Sequence, residues 1–218
     1  MAIDFNTEMD TAIEYRRAKA IRGAGARPAI VVVDFQRAFT ETARCGQATI
    51  DALNSTAELL DVARGAHVPI VYLTVIYDQM EDIPLSWRPA EVGAGISMCL
   101  RGGEMAEINP IVESRFGDIV VEKHHASGFY GTDLDVILKH LGIDTLVMAG
   151  TSTSGCVRAT AVDAAARSYR VQVVEECVDD VRPISGEAAL CDIAERYGDV
   201  ISLKDAIGYV DAISESEV

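Results

Sequence analysis

The chain has 218 residues, of which 49% are apolar, and its formal net charge is −15. This length suits one well-buried α/β domain and is short for two. The acidic balance disfavours binding to a nucleic-acid backbone, and the longest apolar runs are only strand length, so no membrane span is expected. The N-terminus lacks a basic-then-apolar signal pattern, and we expect a cytoplasmic protein.

The cysteines indicate free thiols. The chain has five of them, at positions 45, 99, 156, 177 and 191, and none forms a CxxC pair. An odd number without paired spacing is typical of a reducing compartment. A disulfide framework and a zinc ribbon are therefore disfavoured.

The first 27 residues are predicted to form a helical arm. Residues 7–22 have a helix-forming composition with a thin apolar stripe, and the glycines and proline of residues 23–28 then interrupt them. Such an arm could lie on its own domain or reach a neighbouring subunit, and the sequence favours neither. Residues 28–218 are assigned to a single domain.

The next segments predict a βαβ unit. Residues 29–33 form a β-branched run that ends in Asp34, residues 50–65 have apolar side chains at helical spacing, and residues 68–76 form a second apolar run. Asp34 thus falls at the carboxyl end of a buried strand, where ligands bind in open α/β sheets. An equally good interpretation is that Asp34 caps a turn.

A long loop follows the second strand. Residues 77–107 are too many for a simple connection, which favours a lid over the ends of the strands. Trp87 in this loop is either an anchor of the loop itself or, as we favour, a wall of a substrate site.

The rest of the chain continues to alternate. Strands are predicted over residues 118–123, 144–149, 170–175 and 199–202, and helices over residues 134–141, 156–168, 185–196 and 204–213. This alternation predicts a mainly parallel sheet covered by helices on both faces. Lys123 ends one of these strands; a lysine there is more often a solvated surface group, and only its partners would give it a function.

The stretch Gly150–Arg158 joins a buried strand to an Ala-rich helix. Cys156 is predicted in the first turn of that helix, where free N–H groups and the helix dipole favour an anion. A reactive thiolate also needs a proton acceptor and a positive neighbour. Asp34 and Lys123 are the candidates, and they would converge on Cys156 if the first, third and fourth strands are neighbours.

Four other motifs fail on spacing. No GxGxxG follows the first strand, and Cys156 stands where a phosphate loop needs lysine. A phosphatase-like Cys-x5-Arg would need arginine at Val162, and a serine nucleophile elbow would need glycine at Ser154. The histidines at positions 67, 124, 125 and 140 are not spaced as ligand pairs. We therefore expect no metal and no cofactor.

Three motifs together resemble the isochorismatase-like cysteine hydrolases. They are the run 32–36 (VVDFQ), Lys123 with the following Ala-Ser-x-Phe at 126–129, and the run 151–163 (TSTSGCVRATAVD); the run 197–200 (YGDV) also fits. Within this family the chain is most similar to the N-carbamoylsarcosine amidohydrolase and maleamate amidohydrolase group. The resemblance covers nearly the whole chain after the arm and implies a Rossmann-like, three-layer α/β/α fold with a six-stranded sheet.

The same resemblance implies the site and the reaction. It assigns a triad of Asp34, Lys123 and Cys156, a cis peptide before Ser152, and an oxyanion hole formed by the backbone N–H groups of Ser152 and Cys156. The expected substrate-binding residues are Phe39, Trp87, Ser127, Phe129, Thr151 and Arg182. The implied activity is hydrolysis of the C–N bond of a small amide or ureido substrate through a thioester, with release of ammonia. Such enzymes often assemble as dimers or tetramers, so a homo-oligomer is expected.

The chain departs from the family pattern in two places. The nicotinamidase metal motif Asp-x-His is missing from residues 77–80, which again predicts no metal. The family's carboxylate-binding arginine would fall at Val181, with Arg182 one residue later. Either the loop is adjusted so that Arg182 serves, or the substrate lacks that carboxylate, as in lactam-hydrolysing relatives.

Two other functions are weighed against amide hydrolysis. True isochorismatases cleave a vinyl ether without a nucleophilic cysteine, so Cys156 disfavours that activity. A catalytically silent binding module is the remaining alternative, and the complete triad disfavours it.

Overall fold

The computed structural model describes residues 5–19, 21–43, 45–87 and 98–216. The strands are β1 (Pro28–Val33), β2 (Ile70–Val75), β3 (Ile119–Lys123), β4 (Thr145–Thr151), β5 (Arg170–Asp179) and β6 (Asp199–Ile201). The α-helices are α1 (Phe5–Arg17), α2 (Arg37–Thr40), α3 (Gln47–Gly65), α4 (Leu134–His140), α5 (Arg158–Ala166), α6 (Pro183–Asp192) and α7 (Leu203–Ser216). Two π-helical turns, Thr153–Val157 and Ile193–Tyr197, adjoin α5 and α6.

The strands form one sheet in the order β3-β2-β1-β4-β5-β6, and all neighbouring pairs are parallel. The predicted six-stranded α/β sheet is therefore confirmed. Every residue of β1, β2 and β4 is buried, because helices cover both faces of a sheet with parallel crossovers. The carboxyl ends of all six strands meet at one edge, which holds the candidate site.

Alternate residues of each strand supply two separate cores. From β1, Val31 and Val33 pack with residues of α4 and α5, such as Leu134 and Ala161. Ile30 and Val32 pack on the opposite face with residues of α3 and α7, which include Leu53, Leu60 and Val210. The three layers follow from this period-two alternation in strands that are apolar on both sides.

The N-terminal arm lies on its own domain, the first of the two predicted alternatives. Its helix ends at Arg17 rather than at residue 22. The buried guanidinium of Arg16 pairs with Glu187 on α6 at 2.7 Å and with Glu175 on β5 at 2.8 Å. The following segment is non-helical, because Asp199 and Asp144 accept hydrogen bonds from its backbone N–H groups. Ion pairs and hydrogen bonds thus hold the arm on the domain, because its thin apolar stripe offers little surface to bury.

All five cysteines are free thiols, as predicted. None of the helices in the described ranges is long and apolar enough to cross a membrane.

We expect Arg16→Ala to lower the free energy of unfolding by about 2 kcal/mol, since it leaves two partly buried carboxylates without their shared partner. Arg17→Ala is the matched control. The Arg17 side chain is 65% exposed and reaches only Glu175, at 3.4 Å, so its loss should cost less than about 0.5 kcal/mol. Urea unfolding of both variants measures the difference. Equal losses would mean that the arm is not held at Arg16.

Candidate active site

Asp34 follows β1 directly and is buried at the carboxyl edge of the sheet. Its backbone adopts a left-handed conformation with φ of 52°, which few residue types other than glycine, asparagine and aspartate adopt readily. The Asp34 N–H donates to the carbonyl of Leu73 at 2.9 Å, so the chain leaves the sheet tied to β2. A buried residue other than glycine that is held at a positive φ is typical of a functional position.

Gln36 keeps the chain after Asp34 in place. Its buried side-chain amide donates to the carbonyls of Val75 at 3.0 Å and Ala106 at 2.7 Å, and its Oε1 accepts from the N–H of Val75 at 2.7 Å. The amide thus continues the hydrogen bonding of β2 where the strand ends. Sequence reasoning treated Gln36 only as part of a family motif and did not assign this role.

Lys123 reaches Asp34 across an intervening strand. The sequence predicts convergence only if β1, β3 and β4 are neighbours, and this condition fails for β3, because β2 lies between β1 and β3. Two strand spacings separate their backbones by about 9–10 Å, and the long lysine side chain spans most of that gap. Its Nζ donates to Asp34 Oδ2 at 2.8 Å and to the carbonyl of His125 at 3.1 Å. Lys123 is only 1% exposed, so it is not a surface group.

Cys156 lies in the π-helical turn Thr153–Val157 rather than in the first turn of an α-helix. The turn is kinked at Gly155, and α5 begins only at Arg158. The peptide bond between Thr151 and Ser152 is cis, as the resemblance implied. The Ser152 N–H makes no loop or side-chain hydrogen bond to a described residue.

Gly150 brings the strand before this turn against Asp34. Its φ is +131°, and a Cβ there would stand 2.1 Å from the carbonyl oxygen of Val33. Only glycine allows β4 to approach the end of β1 this closely. The close approach places the turn Thr153–Val157 beside the Asp34–Lys123 pair. We call this segment the nucleophile turn, after the predicted role of Cys156.

The three side chains interact as one cluster. Burial raises the pKa of Cys156, the charge of Asp34 raises it further, and Lys123 opposes the shift. Burial also raises the pKa of Asp34, against the charge of Lys123 and the side-chain interactions with Cys156 and Lys123. Burial lowers the pKa of Lys123, but Asp34 and Cys156 together raise it by more. The resting cluster therefore combines a charged lysine with a protonated thiol.

The two oxygens of Asp34 have different environments. Oδ2 accepts from Lys123, whereas Oδ1 is buried and has no partner that meets hydrogen-bond geometry among the described residues. A buried acceptor without a partner is costly unless it has a function. This oxygen is available to take a proton, and the thiol of Cys156 interacts with the same carboxyl group.

The end of β5 supports the nucleophile turn. The hydroxyls of Thr151 and Thr153 donate to the carbonyl of Asp179 at 3.2 and 3.0 Å. Ser154 donates to Asp180 Oδ2 from its N–H at 2.8 Å and from its hydroxyl at 2.6 Å. The sequence interpretation ended this strand at residue 175 and missed the support, because acidic residues at 175, 176 and 179 interrupt the apolar run there.

Phe39 and Trp87 pack against one apolar cluster that includes residues of the loop after β2. The cluster is built on buried residues that include Val75, Tyr77 and Cys99, and both aromatic side chains pack against it partly exposed. The ring of Trp87 lies 6.5 Å from that of His125, the residue whose carbonyl binds Lys123. Trp87 therefore anchors the loop, and its contact with substrate stays a prediction. The adjoining Arg88 and Pro89 lie outside the described residues.

The sequence analysis did not identify Tyr77 or Cys99 as candidate site residues, although both lie near the cluster of Asp34, Lys123 and Cys156. The hydroxyl of Tyr77 donates to the carbonyl of His124 at 2.6 Å. Burial and the charge of Asp34 raise the pKa of Cys99 to about 12, with Lys123 opposing. Cys99 is therefore a buried protonated thiol beside the site, and its sequence context carries no signal for that position.

Two predicted substrate-binding residues have structural partners. Phe129 is buried, stacks on Tyr169 at 5.9 Å between ring centroids, and lies beneath the guanidinium of Arg167. Phe129 therefore packs in the core, and its contact with substrate stays a prediction. The hydroxyl of Ser127 accepts from the N–H of Phe129 at 3.2 Å and so shapes the turn after Lys123.

Arg182 is the exposed residue that precedes α6. Its N–H donates to Asp180 Oδ1 at 3.0 Å, and its guanidinium has no hydrogen bond or ion pair to a described residue. Val181, at the position of the family's arginine, is 47% exposed. In the described part of the chain no three His, Cys, Asp or Glu side chains are grouped for metal binding.

Asp34→Asn removes the carboxylate that we expect to accept the proton of the Cys156 thiol. The pKa of Cys156 should fall, because the Asp34 charge that raises it is gone while Lys123 remains, so thiolate forms at lower pH. Alkylation of the Cys156 peptide by iodoacetamide, followed by mass spectrometry at fixed pH between 7 and 9, should therefore be faster. Turnover should nevertheless fall by at least about 100-fold, as expected for loss of a general base. Slower alkylation would contradict this electrostatic assignment.

The isochorismatase domain model matches residues 28–205. The chain is 35% identical to the maleamate amidohydrolase of Pseudomonas putida over 85% of its own length and 87% of that protein. It is 30% identical to the N-carbamoylsarcosine amidase of an Arthrobacter species, over 89% and 75% of the two chains. A crystal structure of a cysteine hydrolase from Pseudomonas syringae pv. phaseolicola superposes with a TM-score of 0.82 at 24% identity, covering 90% of this chain and 99% of that one. These matches and the confirmed fold show that the chain belongs to the isochorismatase family of hydrolases.

Proposed function

We propose that this protein is a cysteine-dependent amidohydrolase that cleaves the C–N bond of a small amide or ureido substrate and releases ammonia. The observation that carries the proposal is the Asp34–Lys123–Cys156 cluster, in which Asp34 and Lys123 are buried and the partly exposed thiol of Cys156 interacts with the Asp34 carboxyl. Asp34 Oδ1 has no hydrogen-bond partner among the described residues. The names of the two relatives, a maleamate amidohydrolase and an N-carbamoylsarcosine amidase, support this substrate class.

Attack begins with a proton transfer. Because the resting thiol is protonated, Asp34 Oδ1 must take its proton as the sulfur bonds to the substrate carbonyl carbon. Lys123 stays charged, holds Asp34 through Oδ2 and stabilises the negative sulfur. Proton transfer to Asp34 and formation of the bond between sulfur and carbon occur together. No free thiolate then forms next to an ionised carboxylate, a state that the raised pKa of Cys156 disfavours.

The carbonyl oxygen gains the negative charge during attack. We assign its stabilisation to the backbone N–H groups of Ser152 and Cys156. The N–H of Ser152 makes no loop or side-chain hydrogen bond to a described residue, which supports that role. Removal of one such donor typically raises the barrier by about 3 kcal/mol. Thr151 lies directly before this pair and is held by Asp179, so we infer that it positions the hole rather than the substrate.

Collapse of the adduct releases the nitrogen. The protonated Asp34 returns its proton to the departing nitrogen, which leaves as ammonia, and the acyl group remains as a thioester on Cys156. Asp34 then deprotonates a water molecule, which attacks the thioester carbonyl. The acid product leaves, and the thiol regains its proton from Asp34.

The identity of the acyl group depends on the loop before α6. A substrate with a second carboxylate needs a cation, and Arg182 carries a guanidinium without a partner among the described residues. The exposed valine at position 181 favours a second candidate, the opening of a lactam that has no such carboxylate. The same thioester mechanism serves both substrates.

A substrate panel tests the proposal. We expect ammonia or amine release from at least one of N-carbamoyl amino acids, maleamate, nicotinamide and a γ-lactam, and Cys156→Ala should abolish it because the thioester cannot form. Cys191→Ala is the matched control, since Cys191 is partly exposed and hydrogen-bonds to the carbonyl of Ala12 in the arm. Turnover that survives in Cys156→Ala would refute the mechanism.

Arg182→Ala distinguishes the two substrate types. For a substrate with a free carboxylate we expect KM to rise by about 10-fold with kcat little changed, as for loss of a charged hydrogen bond made before the chemical step. For a lactam, neither constant should change. Arg196→Ala is the control, because Arg196 is exposed and pairs with Asp192 on α6. An unchanged KM for every carboxylate substrate would exclude Arg182 from binding.

A further inference from the structure

We propose that Asp180 is a positioning residue that holds the Cys156 turn and the backbone of Arg182 in one fixed arrangement. The Arg182 half of this inference rests on the proposed function. The Cys156 half concerns the thiol itself and does not depend on which substrate is used.

The first connection joins Asp180 to the nucleophile turn. Asp180 Oδ2 accepts from Ser154 twice, from the N–H at 2.8 Å and the hydroxyl at 2.6 Å. Ser154 lies two residues before Cys156 in a turn that is kinked at Gly155 and so lacks a regular α-helical ladder. A carboxylate with two short hydrogen bonds can fix a turn that its own backbone holds weakly.

The second connection joins Asp180 to the start of α6. Asp180 Oδ1 accepts from the N–H of Arg182 at 3.0 Å, and Pro183 then begins the helix. Gly186 on that helix lies so close that a Cβ there would stand 3.0 Å from the Cβ of Asp180. The carboxylate is thus held between the nucleophile turn and the start of α6, which Arg182 directly precedes.

Both oxygens of Asp180 are used by N–H or O–H donors, and it forms no ion pair with a described Lys, Arg or His. This pattern indicates a geometric role rather than charge neutralisation. An asparagine could keep one acceptor for Ser154, but its NH₂ group would face the N–H of Arg182. The two connections can therefore be separated by substitution.

Two substitutions at Asp180 test the inference. Asp180→Ala removes both connections; we expect kcat to fall by about 10-fold, the effect of losing charged hydrogen bonds. The pH profile of Cys156 alkylation should move to lower pH, because the relaxed turn takes the thiol away from Asp34. Asp180→Asn should leave kcat, and the rate of Cys156 alkylation at each pH, within about 2-fold of wild type. It should raise KM for a carboxylate substrate. Asp163→Asn is the control and should change nothing, because Asp163 lies on α5 and, among the described residues, pairs only with Arg167, which directly follows that helix.

Ser154→Ala approaches the same contact from the other side and covers the case in which Asp180→Ala does not fold. It removes only the hydroxyl bond, so a smaller shift of the alkylation profile in the same direction is expected. An unchanged profile in both folded variants would overturn the inference. If wild type hydrolyses no member of the panel, the proposed function fails, while the alkylation profiles still decide the role of Asp180.

Discussion

The buried ion pair between Lys123 and Asp34 is the interaction around which the site is arranged. Two opposite charges at 2.8 Å are taken out of water, which is tolerated only when the remaining polar atoms are also used. Lys123 meets this condition through the carbonyl of His125, whereas Asp34 Oδ1 does not. The fold therefore sustains an unsatisfied buried acceptor at this ion pair, and that acceptor lies where the proposed reaction needs a base.

Several local features exist to hold this pair beside Cys156. Asp34 departs from the sheet with a positive φ, and Gln36 replaces missing backbone hydrogen bonds at the end of β2. Gly150 lets β4 come against β1, and a π-helical turn then carries the thiol. Each feature is unfavourable or rare in isolation and is maintained by the packed sheet beneath it. Such local exceptions to regular geometry are expected at a functional site.

The loops on the other side of the nucleophile are rigidly attached rather than free. Asp179 and Asp180 bind the nucleophile turn through side chains and carbonyl oxygens, and Thr49 on α3 donates to Asp179 Oδ2 at 2.6 Å. The backbone of Arg182 and the turn that carries Cys156 therefore share one set of hydrogen bonds.

The sequence alone determined the parallel α/β sheet, the order of its elements and the three reactive residue types. β-branched runs, glycine stops and alternation carry that information locally, and the family motifs added the pairing of Asp34, Lys123 and Cys156. Only the tertiary structure decided that β2 separates β1 from β3, that the arm lies on its own domain, and that Phe129 packs in the core. The same is true of Asp180, whose role depends on a strand that continues past its apolar run. These features depend on contacts between residues far apart in the chain, and no local pattern specifies such contacts.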